Sequence, residues 1–267
     1  MARMKNFMQM TGSMAMVSMY TMQGHDEVII RTKGGPTKRQ IKTKPQFEKL
    51  RRNNSEWAGC TRMSSRIRNS IYLMKRLADY PFTGALNAVC KYIQKQDSVS
   101  EHGQRSVYLS AHKEALSGLS FSKKQVLESV LRVPISVTLD RENGATIELP
   151  AIHTGMYLYN FRNLPYFRLI ACLSGVRDMV FSAEDKRYDE TEFYFYDSKS
   201  EFESEWHPTT GTIPATTIRL SLNENVYPLP DDVTMLVCLG IEFGKIGVAN
   251  TIEAVKYAGT GKILKVG

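Results

Sequence analysis

The sequence predicts an α+β protein in which an N-terminal β-hairpin arm and a helical region are followed by a β-sandwich. Apolar residues recur at three- and four-residue steps within residues 47–77, 86–93 and 107–116, which is typical of helices, and they alternate with polar residues in the first 30 residues and after Val133, which is typical of strands. The pattern of residues 121–131 is ambiguous, with Ser122 available to cap a short helix. We therefore expect a β-hairpin arm and basic linker (1–44), a basic helical region (45–131) and an acidic β-sandwich-like domain (132–267).

The arm is rich in methionine. Eight of the thirteen methionines fall in the first 22 residues, and six of the eight occupy even positions, as does Tyr20. A period of two predicts strands with one apolar face. Gly12-Ser13 and Gln23-Gly24-His25-Asp26 are the expected turns, and Val28-Ile29-Ile30 is the expected return strand. Because two strands alone are marginal in water, this face should pack against the rest of the chain or another subunit; ordinary core filling by methionine is the plainer alternative.

The helical pattern begins near Pro45, since proline fits the first helical turn. It continues as one long helix, or two abutting ones, to Tyr80-Pro81. A second helix is expected around residues 86–93, and a third around 107–116 that stops at Gly118.

From Val133 the period changes to two, and Asn143-Gly144 marks the turn of a β-hairpin. The further expected strands lie at residues 167–173, 179–183, 192–196, 216–222 and 234–243, with closing pieces at 248–257 and 262–266. Short strands at this spacing favour a β-sandwich over alternating strands and helices.

The formal charge of +8 is unevenly distributed. Residues 1–125 carry 22 basic and 8 acidic side chains, a net of +14, whereas residues 126–267 carry 13 basic and 19 acidic, a net of −6. Such asymmetry favours a polyanionic partner, or docking of the basic half of one molecule on the acidic half of the same or another. The candidate partner- or phosphate-binding residues are Lys38, Arg39, Lys42, Lys44, Arg51, Arg52, Arg62 and Arg66. A solvated helix face is the alternative.

No catalytic residue, metal site or cofactor is predicted. The four cysteines are dispersed and form no Cys-x-x-Cys pair, so we expect buried free thiols. Gly259-Thr260-Gly261-Lys262 resembles the end of a phosphate-binding loop, but Lys256 stands where the earlier glycine is needed. The one enzymatic alternative is a carboxylate face formed by Glu201, Glu203 and Glu205 on a strand.

Several short patterns carry a family resemblance. They are Ile30-Arg31-Thr32-Lys33-Gly34-Gly35-Pro36, Ile41, Phe47, Arg52, Asn53 or Asn54, Glu56 and Trp57, then Gly103-Gln104-Arg105, Asp140-Arg141 and Leu239-Gly240-Ile241-Glu242-Phe243. With them the chain resembles a family of uncharacterised bacterial proteins of similar length with no assigned function. The resemblance implies a shared fold over most of the chain and implies no chemistry.

These observations favour a non-enzymatic structural or interaction subunit that assembles through its basic N-terminal part and acidic β-domain, by self-association or with another protein. A non-specific nucleic-acid-binding protein that uses the basic region 38–68 is the alternative. No apolar run reaches the eighteen or so residues of a membrane span. Free cysteines and the lack of a clear signal peptide favour the cytoplasm, with an assembly or virion component as the alternative.

Overall fold

The computed structural model contains both helices and antiparallel sheets, which confirms the predicted α+β class. It describes residues 2–4, 11–22, 27–188, 199–222 and 228–267. The predicted turn at residues 23–26 and the predicted strand at residues 192–196 lie outside the described residues. The chain divides into a small unit, Met1–Arg51, and a large unit, Arg52–Gly267.

The small unit contains a four-stranded antiparallel sheet in the order β1-β4-β3-β2. Its strands are β1 (Ala2–Met4), β2 (Gly12–Met14), β3 (Val17–Thr21) and β4 (Val28–Thr32). Strand β4 confirms the predicted return strand. This sheet is followed by the short helix α1 (Lys38–Thr43), which lies where the sequence analysis expected only a linker.

The predicted turn at Gly12-Ser13 is wrong, because both residues belong to β2. The chain instead reverses at Ala15 and Met16, where Ala15 has a φ of 49°. This two-residue turn places Met14 opposite Val17, so the even-numbered Met14 shares a face with odd-numbered residues of β3. The single methionine face expected from even positions is therefore not formed across this hairpin.

The predicted long helix consists of abutting segments. A 3₁₀ turn, Pro45–Phe47, leads into α2 (Glu48–Ser70), which is followed by a second 3₁₀ segment, Tyr72–Leu77. Helix α3 (Thr83–Gln96) confirms the second predicted helix. The third is a 3₁₀ segment, Ser110–Leu116.

The remaining elements of the large unit are short helices and strands. The helices are α4 (Leu127–Val130), α5 (Thr154–Tyr157) and a 3₁₀ turn, Val248–Asn250. The strands are β5 (Ser136–Asp140), β6 (Gly144–Leu149), β7 (Ile152–His153), β8 (Tyr166–Arg177), β9 (Phe181–Ser182), β10 (Arg187–Tyr188), β11 (Lys199–Glu203), β12 (His207–Pro208), β13 (Thr212–Ile213), β14 (Thr216–Leu220), β15 (Val233–Ile246), β16 (Ile252–Ala254) and β17 (Thr260–Val266).

Most of these strands belong to two sheets. The central sheet has the order β11-β8-β15-β16, with β12 also paired to β8 and β17 to β15, and a three-stranded sheet has the order β14-β6-β5. The predicted hairpin is confirmed as β5–β6, in which Asp140 pairs with Gly144. Gly144 has a φ of 92°, a conformation that glycine adopts without the steric cost borne by other residues.

The central sheet is buried on both faces, which explains why β8 and β15 are almost continuously apolar. Alternate residues such as Leu169 and Leu239 share a core with the three-stranded sheet. The intervening residues, such as Cys172 and Cys238, pack with α2 and α3. Gly240 allows the 3₁₀ segment Tyr72–Leu77 to approach β15 closely, because a Cβ there would lie 2.2 Å from Leu77 Cδ1. The predicted domain boundaries at 44/45 and 131/132 stay predictions.

Candidate interaction surface

The small unit carries nearly all of the net charge. Its 51 residues include 10 Lys and Arg against 3 Asp and Glu, a net of +7. The large unit holds the other 25 basic and 24 acidic residues, a net of +1. The large unit is nearly neutral because its residues 52–125 carry a net charge of +7 and its residues 126–267 a net charge of −6.

The sheet of the small unit has one apolar face. Val17 lies opposite Met14, and Met19 lies opposite Ile30, so these side chains project from the same side. Val28, on the same side, is one of two buried residues among those described in this unit; the other is Ile29. Met14 keeps 64% of its surface exposed. Because so little apolar surface is buried within the sheet, the unit has a weak core of its own.

One edge strand of this sheet has a free side as far as the described residues show. Strand β2 lies at the end of the sheet, and among the described residues it pairs with β3 alone. An unpaired edge presents backbone N–H and C=O groups that a strand from another chain can pair with.

Helix α1 concentrates exposed cations. It begins with a capping box in which the Thr37 hydroxyl accepts from the Gln40 N–H and the Gln40 side chain accepts from the Thr37 N–H. Its predicted binding residues, and the one that follows it, are all exposed: Lys38, Arg39, Lys42 and Lys44. Across the part of the chain that the structure describes, none of these four forms an ion pair.

Arg51 has a defined contact within the small unit. One nitrogen of its guanidinium group, Nη1, donates to the carbonyl oxygens of Ile41 at 2.8 Å and Lys44 at 2.9 Å. These carbonyls lie at the end of α1, where backbone acceptors lack helical partners. Arg51 therefore holds α1 against the start of α2.

The other three predicted binding residues lie in the large unit, on α2. Arg62 Nη1 donates to the Tyr188 carbonyl at 2.8 Å, and Arg66 is half-buried. The side chain of Arg52 lies close to Gly103. All three have interaction partners. Of the eight predicted binding residues, five therefore lie in the small unit and three in the large unit.

Two of the three carboxylates of the predicted face form ion pairs on β11, whereas Glu205 lies beyond the end of that strand and forms none with a described residue. Glu203 contacts Arg76 at 2.9 Å and Arg168 at 2.7 Å, and Glu201 contacts Lys199 at 2.8 Å. Burial tends to raise the pKa of Glu203, but the hydrogen bond and charge of Arg76, with the charge of Arg168, lower it overall. A carboxylate held in its charged form is a poor general acid.

A second charged residue at this site was missed by the sequence analysis. Glu242 is 4% exposed. Its Oε2 accepts a hydrogen bond from Arg168 Nε at 2.9 Å and forms an ion pair with Arg168 Nη2 at 2.8 Å. The two residues lie directly opposite each other on β15 and β8. The Arg168 guanidinium also stacks on Trp206, 4.5 Å from the ring centre. These contacts link β8, β15 and Trp206 at one end of the central sheet.

A buried polar network joins α2 to α3. Glu56 accepts from Lys91 Nζ at 2.6 Å and from the Gly103 N–H at 3.0 Å, with Arg105 Nε at 3.7 Å. Gln94, fully buried, donates to the Glu56 carbonyl at 3.0 Å. Three of the residues that carry the family resemblance, at positions 56, 103 and 105, thus meet in one place.

Two histidines contact neighbouring polar side chains, and the cysteines are buried. His102 contacts the Asn53 side chain at 2.8 Å, and His153 contacts Thr212 at 2.7 Å. All four cysteines are buried free thiols, as predicted. Within the described ranges, no group of three or more His, Cys, Asp or Glu side chains is placed to hold a metal ion.

Comparison with known proteins gave no match to a family model, a curated protein or a solved structure. The resemblance to uncharacterised bacterial proteins therefore stays a prediction. No described helix has the length and apolar character needed to cross a membrane.

Proposed function

We propose that the protein is a non-enzymatic structural or interaction subunit that self-assembles through its small unit. The observation that carries the proposal is a net charge of +7 on 51 residues, of which only Val28 and Ile29 are buried among those whose burial is described. A unit of this kind gains stability when a partner surface covers its apolar face and neutralises its cations.

The partner we favour is the acidic β-region of a second copy. Residues 126–267 carry a net charge of −6. Within them, the β5–β6 hairpin exposes Asp140, Glu142 and Glu148, and none of these three forms an ion pair with a described residue. Complementary charges on the two surfaces would steer association and set its orientation.

Association of this kind weakens as salt rises, because the Debye length falls from about 30 Å at 0.01 M to about 8 Å at 0.15 M ionic strength. Size-exclusion chromatography with light scattering, at low and high salt, would show whether the protein forms oligomers and whether salt dissociates them. A triple variant K38E/R39E/K42E should be monomeric at low salt. The control K95E/K113E/K186E makes the same charge change on the large unit and should assemble like the parent protein.

A charge exchange sharpens the test. The variant D140K/E142K/E148K should also fail to assemble alone, whereas a mixture of the two triple variants should form hetero-oligomers because the swapped charges attract again. A parent protein that stays monomeric at low salt, or a K38E triple variant that behaves like its control, would refute the proposal.

The second candidate function is non-specific nucleic-acid binding through α1, which the four exposed cations without ion pairs favour. Four phosphate contacts give a salt slope of about −3.6, or about a hundredfold loss of affinity between 50 and 200 mM salt. Fluorescence anisotropy with labelled DNA and RNA duplexes measures this slope. No binding at low salt, or binding that the K38E triple variant keeps, would exclude this function.

A further inference from the structure

The large unit contains an open cleft of about 1020 Å³ that neither proposed function uses. Its walls come from separate parts of the sequence: the end of α2, the connection to α3, the loop before α4, the residues that precede β8 and the turn between β16 and β17. The volume is at the upper end of the range for small-molecule sites.

The cleft is positively charged. Four cations line it: Arg68, Lys75, Lys124 and Arg162. None of them forms an ion pair with a described residue. The one carboxylate in the lining belongs to Asp79. The lining therefore has an excess of three positive charges, which favours an anion that carries several negative charges.

The Asp79 carboxylate holds one wall of the cleft in place. Its carboxylate accepts from Ser122 Oγ at 2.7 Å and from the N–H groups of Lys123 at 2.9 Å and Lys124 at 3.0 Å. Burial tends to raise the pKa of Asp79, but these hydrogen bonds lower it overall, so the group stays ionised. It fixes the loop that carries Lys124.

The lining also contains four aromatic residues. Tyr80, Phe82, Phe161 and Tyr257 all line the cleft. Tyr257 is 62% exposed, and therefore has ring surface available to a ligand, whereas Phe82 is buried against Phe121. Exposed aromatic faces stack on planar heterocycles with little dependence on their identity.

Hydrogen bonds within the large unit position several of the lining side chains, so the site is largely preformed. Arg68 Nη1 donates to Thr83 Oγ1 at 2.8 Å, and Arg162 Nη1 donates to the Lys256 carbonyl at 3.2 Å. The Tyr80 hydroxyl donates to the Ser120 carbonyl at 3.1 Å. Such positioning lowers the cost of ordering cations around a bound anion.

We propose that this cleft binds a nucleoside phosphate, with the phosphates among the four cations and the base against Tyr257. The cations supply charge-assisted hydrogen bonds to phosphate oxygens, and arginine does so in a bidentate geometry. The exposed tyrosine ring supplies the stacking surface. A ligand with both a polyphosphate and a planar ring matches both parts of the lining.

Isothermal titration calorimetry of the full chain tests this, with ATP, inorganic tripolyphosphate and adenosine as probes. ATP should bind at low salt and more tightly than either fragment. The double variant R68A/K124A should weaken ATP binding at least tenfold, or about 1.4 kcal/mol. Tyr257→Ala should weaken ATP but leave tripolyphosphate unchanged. Lys95→Ala, on an exposed residue outside the lining, should bind like the parent protein. An unchanged circular dichroism spectrum confirms that each variant is folded.

Three results would overturn the proposal. The first is that the parent protein does not bind ATP, and the second is that R68A/K124A binds ATP as tightly as the parent protein does. The third is that the parent protein binds oligo(dT) more tightly than ATP and that R68A/K124A loses this binding, which would assign the cleft to single-stranded nucleic acid. Assembly is measured on variants of α1 and of the β5–β6 hairpin, and ligand binding on variants of the cleft, so each proposal can fail while the other stands.

Discussion

Replacing Glu56 by glutamine tests the buried network at its most charged point. The substitution keeps the shape of the side chain but removes the charge that pairs with Lys91 and Arg105. Removing one partner of a buried pair costs about 3–5 kcal/mol. Because Lys91 and Arg105 keep 28% and 32% of their side-chain surface exposed, water can solvate them in the variant. We therefore expect a loss at or below the lower limit of this range, about 2–3 kcal/mol in the free energy of unfolding.

Urea unfolding monitored by circular dichroism measures this loss, and the melting temperature should fall by about 5–10 °C. Glu101→Gln is the matched control, since Glu101 is exposed and forms no ion pair with a described residue. Its effect should stay within about 0.5 kcal/mol. Equal stabilities for the two variants would refute the reasoning.

The pH dependence provides a second readout. Burial acts to raise the pKa of Glu56, but the Gly103 N–H and the hydrogen bond and charge of Lys91 lower it overall. A lowered pKa contributes stability that is present above the usual pKa of 4.5 and is lost as the pH falls through the folded value. The gap between the parent protein and Glu56→Gln should therefore stay constant near neutral pH and narrow below about 4.5. A gap that does not narrow contradicts this assignment.

Two further predictions concern packing and ion pairing. Gly59→Ala places a Cβ 2.4 Å from Tyr188 Cε1 and should cost about 1–2 kcal/mol after the gain in helix propensity. Gly84→Ala, with no atom within 4 Å of its Cβ, should be neutral or stabilising by up to about 1 kcal/mol. Urea unfolding measures both variants, and a Gly59→Ala variant that is more stable than Gly84→Ala would reject the prediction. Arg168→Lys should cost about 1–2 kcal/mol, because lysine cannot reproduce the two-nitrogen contact with Glu242, and a melting temperature like that of the parent protein would contradict this.

Elements with strong local signals could be predicted from the sequence. The β5–β6 hairpin follows from Asn143-Gly144 between two alternating runs, because glycine tolerates the φ of 92° that the turn requires. Helix α2 follows from apolar residues at helical spacing and from Pro45 before it. In each case the information lies in residues that are neighbours along the chain.

Other features depend on contacts that local patterns do not encode. The reversal at Ala15-Met16 uses a positive φ at alanine, a residue with no preference for that conformation. Glu56 on a helix reads as a solvent-exposed residue until Lys91 and Gly103 are placed beside it. For α1 a signal was present, since Thr37 and Gln40 have capping-box spacing. The cleft draws on distant segments and has no local signature.

The antiparallel pairing of β8 with β15 affects how the protein is synthesised. The pairing extends from Val233 opposite Arg177 to Gly244 opposite Tyr166, and it carries the apolar surface that α2 and α3 cover. Helix α3 ends at Gln96, and β15 ends 150 residues later at Ile246. At about 5–20 residues per second the ribosome needs roughly 8–30 s to make that stretch. During this interval the apolar sides of both helices lack their main partner, so the nascent chain should be a client of chaperones that bind exposed apolar segments.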